Sequence, residues 1–193
     1  MLIDPEGMDV PLSGEETDAI FEAPPYWSFC WGSGRALAQR LLSKPELVAG
    51  KTVLDFGCGS GVVAIAAAMA GACRVIACDS DPVAREAALI NAALNHCNLE
   101  VLADFSHLET PVDLLLAADV LYDSDNLPLL QLFRRRAERV LLADSRISNL
   151  REPGYSQMDE IDAVTVPDLG ELDSVKTVRF YRAGGADYVQ SDH

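Results

Sequence analysis

Two periods of apolar residues alternate along most of the chain. Short, nearly unbroken apolar runs recur at residues 52–56, 74–78, 99–103, 112–118 and 140–143. Between them lie segments with helical spacing. Residues 32–43 place Ala36, Leu37, Leu41 and Leu42 on one face. Residues 60–70 are rich in alanine and stop at Gly71, a natural helix terminator. Asp81 followed by Pro82 is a good helix start, and that helix is predicted to run to about Asn95. A further helix is predicted over 125–137. Strands alternating with helices at this spacing build βαβ units with right-handed crossovers, hence a parallel sheet with helices on its faces. The run 112–118 has no polar alternation, which suits a strand covered on both faces. After Asn149 the pattern changes. Residues 162–166 and 175–182 read as strands joined by a short connection, which permits only an antiparallel pairing. The sheet is expected to finish with an antiparallel edge strand.

Length and charge narrow the class. The chain has 193 residues, enough for one domain with a sizeable core. Fifteen basic against 30 acidic residues give a net charge of −15, a field that repels nucleic acid and anionic lipid but not a basic protein surface. The longest uncharged apolar run, 62–73, is short of the roughly 18 residues that a membrane span needs. No membrane or nucleic-acid partner is expected. Residues 1–24 hold seven acids and no base, so they read as a solvated acidic arm ahead of a single domain at 25–193. The start of the chain has neither a basic n-region nor an apolar h-region, so no secretory signal is expected. Five cysteines without a C-x-x-C pair, three of them (Cys58, Cys73, Cys78) in apolar segments, fit free thiols in a reducing compartment, the cytoplasm. The three histidines are too dispersed for a metal site, and a monomer is expected. The cluster Arg134, Arg135, Arg136 and Arg139 reads as a solvated helix face.

Candidate chemistry collects at the ends of the predicted strands. Asp55-Phe56-Gly57-Cys58-Gly59-Ser60-Gly61 follows the first strand and opens a helix. Its glycines permit a tight turn and close approach of a ligand, and the helix start beyond them attracts an anion. The spacing G-x-G-x-G after an acid differs from the dinucleotide pattern and suggests a ligand bearing a carboxylate and an ammonium, with Asp55 taking part in holding the latter. Asp79, at the end of the second strand, is placed to accept hydrogen bonds from two ribose hydroxyls and disfavours a 2′-phosphate. Ser80 and Asp81 can cap the next helix without it. Asp104 and Phe105 follow the third strand, where an acid and a ring suit an adenine; a turn acid beside a core phenylalanine is the competing reading. Asp119 and Tyr122 follow the fourth strand, where open α/β sheets meet their substrates.

Together these elements resemble the class I, or seven-strand, S-adenosylmethionine-dependent methyltransferases over about residues 50–182. The resemblance implies an α/β, three-layer, Rossmann-like sheet ordered 3-2-1-4-5-7-6 with strand 7 antiparallel, and S-adenosyl-L-methionine as cofactor. It implies a cofactor site at Asp55, Gly57, Cys58, Gly59, Gly61, Asp79, Ser80, Asp104 and Phe105. A narrower resemblance lies upstream. Pro25-Tyr26-Trp27-Ser28-Phe29-Cys30-Trp31-Gly32-Ser33-Gly34-Arg35 is similar to the N-terminal signature of a protein-lysine methyltransferase subgroup that includes enzymes acting on the electron-transfer flavoprotein β-subunit. It implies that Trp31 lies beside the cofactor; a hydrophobic lid formed by Trp27 and Trp31 is compatible with that. Asp119-Val120-Leu121-Tyr122 matches the subgroup's D-x-x-Y motif, which implies catalytic roles for Asp119 and Tyr122 around the target lysine. The chain departs from the subgroup at Ala143-Asp144-Ser145-Arg146-Ile147-Ser148, where a Gly-Asp-Pro-Gly-Arg-like segment is typical; loops after strands choose the substrate.

The expected function is methyl transfer to a protein lysine. A small-molecule methyltransferase, sharing the fold but not the acceptor, is the alternative. A non-catalytic cofactor-binding interaction module is a third reading, against which the intact Asp119 and Tyr122 argue. Asp119 is expected to orient the amine rather than serve as a strong base, since a nearby carboxylate raises a lysine pKa while a dry pocket lowers it.

Overall fold

The computed structural model describes residues 11, 13–22 and 24–185. Five helices, α1 (Gly14–Glu22), α2 (Gly32–Ser43), α3 (Val62–Met69), α4 (Pro82–Leu94) and α5 (Leu129–Arg136), accompany seven strands. The strands are β1 (Thr52–Phe56), β2 (Arg74–Cys78), β3 (Glu100–Leu102), β4 (Val112–Ala118), β5 (Ala137–Asp144), β6 (Tyr155–Asp162) and β7 (Thr177–Gly184). They form one sheet ordered β3-β2-β1-β4-β5-β7-β6, parallel from β3 to β5, with β7 antiparallel to both its neighbours. The expected order and the antiparallel strand are present.

The strand period explains the apolar runs. In β4, Leu114 and Leu116 pack into the core beneath α2 and α3, whereas Val112, Leu115 and Ala117 pack into the core beneath α5. Both sets are buried, so neither face of β4 tolerates a polar alternation. The same division runs through β1, with Val53 on the first side and Leu54 on the second, and through β2 and β5. The result is three layers: α2, α3 and α4 on one face, the sheet, and α5 with the 3-10 turn Phe105–His107 on the other.

Several local expectations are corrected. The strand expected at 162–166 lies earlier, at Tyr155–Asp162, and its connection to β7 is a long loop containing the turn Asp173–Val175. Nearly all of β6 is exposed, so no hydrophobic period marks it. It is held instead by pairing with β7 and by the ion pairs Arg179–Glu160 and Arg40–Asp159. Val166 pairs with Cys30 in an isolated antiparallel bridge, which ties this loop to the segment before α2. Leu42 is exposed, and Ala38 takes its place on the buried face of α2. The helix expected over 125–137 is shorter, because β5 begins at Ala137. Cys73 is exposed rather than buried. The acidic arm contains the helix α1. Its sequence signal is Ser13 followed three residues later by Glu16, a capping-box pattern. Arg134 and Arg136 do more than face solvent, donating to the carbonyls of Pro153 and of Ser106 and Leu108. No helix among the described residues is long and apolar enough to cross a membrane.

Candidate active site

The connection order reverses between β1 and β4, and a cleft opens outside the carboxyl ends of the strands there, as the open-sheet rule requires. Its volume is about 960 Å³, within the range of small-molecule sites. The β1, β2 and β3 ends contribute Phe56, Gly57, Gly59, Asp79, Ser80, Asp104 and Phe105; the β4 and β5 ends contribute Asp119, Tyr122 and Arg146. Tyr26, Trp27 and Trp31, from the segment before α2, line it as well.

The glycine loop is shaped by β2. The N–H groups of Gly57 and Cys58 both donate to Cys78 O, at 2.8 and 3.0 Å, and Gly59 N donates to Asp79 Oδ2 at 2.9 Å. These donors are committed inside the protein, so Gly57 and Gly59 offer a ligand close approach rather than N–H groups. Gly57 has a φ of +68°, and a Cβ there would come within 3.0 Å of Val120 Cγ1. The turn therefore needs glycine at this position, both for its left-handed φ and for the nearness of Val120. Asp79 is half-buried and ties the loop to the next helix, accepting from Asp81 N at 3.0 Å through Oδ1. Each carboxylate oxygen keeps a lone pair for a hydroxyl in the cleft. Asp104 caps the turn after β3, accepting from Ser106 N at 2.8 Å, and that bond holds its carboxyl below its ordinary value. The Phe105 ring is buried against Phe56 and Phe133 and also lines the cleft.

Three expected cofactor residues do not line the cleft. Asp55 points from β1 toward α3, is 2% exposed, and accepts from Ala64 N at 2.9 Å. Burial, reinforced by the charge of Asp79, pushes its carboxyl up to about 8. It anchors the helix start from below, so any hold on an ammonium would have to run through water rather than directly. Cys58 turns into the core, where burial raises its thiol pKa. Gly61 has a φ of +82° and faces Ala88 of α4, so it serves the approach of two helices.

The β4 end is tightly organised. Asp119 has a φ of +51° and receives four hydrogen bonds. Ser33 donates through Oγ to Oδ1 at 2.6 Å and through N to Oδ2 at 3.1 Å. Ser145 donates to Oδ1 through Oγ at 3.0 Å and through N at 3.3 Å. The carboxylate thus joins the start of α2 to the turn after β5 and is fixed in direction. Tyr122 is exposed, with its ring 6.1 Å from that of Tyr26, which in turn stands 6.1 Å from Trp31. Trp31 Nε1 donates to Tyr26 O at 2.7 Å, locking this aromatic wall. Tyr26 and Ser33 lie in the signature before α2, and Ser145 and Arg146 in the segment after β5, yet the sequence alone predicts no role in the site for them or for Asn126; Ser33 and Ser145 are 86 and 26 residues from the carboxylate they hold. No group of described His, Cys, Asp and Glu residues is arranged to hold a metal.

The chain is similar to known methyltransferases in sequence and in fold. The family profile described as Ribosomal protein L11 methyltransferase (PrmA) matches residues 36–124. The electron transfer flavoprotein beta subunit lysine methyltransferase of Rattus norvegicus is 38% identical over 83% of this chain and 66% of its own length. That of Homo sapiens is 41% identical over 58% of this chain and 44% of its own. The chain thus spans from under half to just under two thirds of the length of these two relatives. Among solved structures, the ribosomal protein L11 methylase of Lactobacillus delbrueckii subsp. bulgaricus superposes with a TM-score of 0.61 at 22% identity, covering 79% of each chain. The magnesium protoporphyrin IX methyltransferase of Synechocystis, solved with S-adenosylhomocysteine, superposes with a TM-score of 0.59 at 16% identity over 92% of this chain and 90% of its own. With the sheet order, the glycine loop after β1 and these similarities in hand, the chain has the seven-strand fold of the class I S-adenosylmethionine-dependent methyltransferases and is similar in sequence to members of that family.

Proposed function

We propose that the protein transfers a methyl group from S-adenosylmethionine to a protein lysine. The observation that carries this reading is the division of the cleft. Carboxylates suited to adenosine, Asp79 and Asp104, stand at the β2 and β3 ends, while a separately clamped carboxylate, Asp119, stands at the β4 end beside an aromatic wall. When bound, S-adenosylmethionine supplies the electrophilic methyl of its sulfonium. Asp79 would accept the ribose hydroxyls, Gly57 and Gly59 would let the ligand reach the backbone, and Ser80, Asp104 and Phe105 would border the base. Trp31 and Tyr26 would shield the reacting end from water.

A lysine side chain has an apolar stem and a cationic tip. Tyr26, Trp31 and Tyr122 offer faces for both, since a ring attracts an ammonium held over it. Asp119 receives four hydrogen bonds, so its direction is set before substrate arrives, and positioning of this kind is a large part of what catalysis requires. Its role is to draw in and align the amine. Desolvation behind the aromatic wall then favours the neutral, nucleophilic form, and the proton leaves to solvent. The net charge of −15 supports capture of a basic protein surface, and the five free thiols support a reducing, cytoplasmic setting. The acidic arm, with α1 inside it, would assist that capture without belonging to the domain at 25–193.

The test is incubation of the protein with methyl-labelled S-adenosylmethionine and a lysate from cells lacking it. Label on a protein band, recovered as methyl-lysine after hydrolysis, is the expected result. Label on a small molecule alone would replace the acceptor, and no label despite S-adenosylhomocysteine binding would favour a non-catalytic module.

A further inference from the structure

Arg146 is the one cation among the described residues lining the cleft, which otherwise carry the acids Asp79, Asp81, Asp104 and Asp119. It is exposed, and its guanidinium has no hydrogen-bond or ion-pair partner among the described residues. Several other arginines of the domain are engaged, and Arg135, Arg139 and Arg151, which like Arg146 have no such partner among the described residues, do not line the cleft. Arg85 holds the carbonyls of Asp79 and Ser80, Arg136 those of Leu108 and Ser106, and Arg40, Arg74 and Arg179 pair with carboxylates. An arginine left unpaired inside an acidic cleft is a free planar fork, matched in shape to a carboxylate.

Its backbone is not free. Asp144 is fully buried at the end of β5, and its Oδ1 accepts from Arg146 N and Ile147 N, each at 2.8 Å. The residue between them, Ser145, grips Asp119. One turn therefore fixes both the carboxylate that faces the amine and the arginine beside it. Arg146 follows β5, and β4 lies between β5 and the glycine loop after β1. Two strand spacings, about 10 Å, separate it from the cofactor half. A substrate entering at this end meets one negative group and one positive group, both carried by the same turn after β5.

We propose that Arg146 determines specificity by pairing with a carboxylate of the acceptor, so that the site selects a lysine flanked by aspartate or glutamate. This rests on the lysine reading above. Without the arginine, such a flank would meet only acids; with it, the overall negative field draws in a cationic surface while the local fork sorts among its lysines.

The test uses a peptide array in which each peptide carries one central lysine flanked by acidic, neutral or basic residues. The wild type and Arg146→Glu are compared with labelled S-adenosylmethionine, and S-adenosylhomocysteine affinity is measured calorimetrically on both. The wild type should methylate acid-flanked lysines at least about tenfold faster than base-flanked ones, and Arg146→Glu should reverse the order with cofactor affinity within about threefold. Charge reversal reads specificity, which a merely structural role would not invert. An unchanged flank preference in the variant overturns the proposal while leaving lysine methylation standing. A loss of cofactor affinity of about tenfold or more also overturns it, placing Arg146 on the cofactor. Normal cofactor binding with no lysine peptide methylated overturns the lysine reading and this proposal together.

Discussion

Asp79 accepts from Gly59 N and Asp81 N, and its remaining lone pairs face the cleft. Asp79→Ala therefore removes both a ligand acceptor and the strut of the glycine loop. Hydrogen bonds to a charged group contribute roughly 1.5–3 kcal/mol, so S-adenosylhomocysteine binding should weaken about ten- to a hundredfold by calorimetry. An unchanged affinity in a folded variant would take Asp79 out of the site. At this scale the sequence was legible where a residue stands at a strand end, as Asp79, Asp104 and Asp119 do. It was less legible for Asp55, although the strand period held the answer. Asp55 is two residues from Val53, so it shares the α3 side of the sheet and meets Ala64 rather than the cleft. Ser33, Ser145 and Arg146 were legible only as members of quoted segments, because their roles come from which distant residues the fold sets beside them.

The junction of β1 with α3 carries two predictions. Burial raises Asp55 from its ordinary 3.8 to about 8, and burial also raises Asp144. Between those values the folded protein holds a proton at Asp55 that the unfolded chain has released, so stability falls as pH rises through the window. Denaturation across that pH range should show this decline, and Asp55→Asn, which keeps an acceptor for Ala64 N, should flatten it. Equal slopes in both proteins would mean that Asp55 is ionised in the fold. Gly61 begins α3 at a φ of +82° with Ala88 Cβ 3.0 Å from where its own Cβ would lie. Gly61→Ala should cost about 1–3 kcal/mol, lowering Tm by roughly 2–10 °C in calorimetry. An unchanged Tm would show that α3 and α4 have room to part. The elements the sequence marked well, such as β2, β4 and α2, are those whose residues are buried in a regular period. β6 escaped because an exposed edge strand held by ion pairs and ladder bonds has no such period to show.

At the scale of the whole molecule, we propose that the arm and the domain are separable. The described residues of α1 are largely exposed, with Phe21 at 80%, so deleting residues 1–22 should leave Tm nearly unchanged while slowing capture of a basic substrate as salt is lowered. A large fall in Tm would show that the arm packs as structure. The central claim is that the cleft has two halves, one for the cofactor and one, headed by Asp119, for the amine. Asp119→Asn tests it most directly. The amide would set an N–H group against either Ser33 N or the Ser145 donors, so alignment is lost along with the charge. Methyl transfer to lysate lysines and S-adenosylhomocysteine affinity are measured on the same variant. Two separate halves predict that transfer falls by about 10² or more while affinity changes by less than about tenfold. Retained transfer, or affinity lost in step with transfer, would contradict the division.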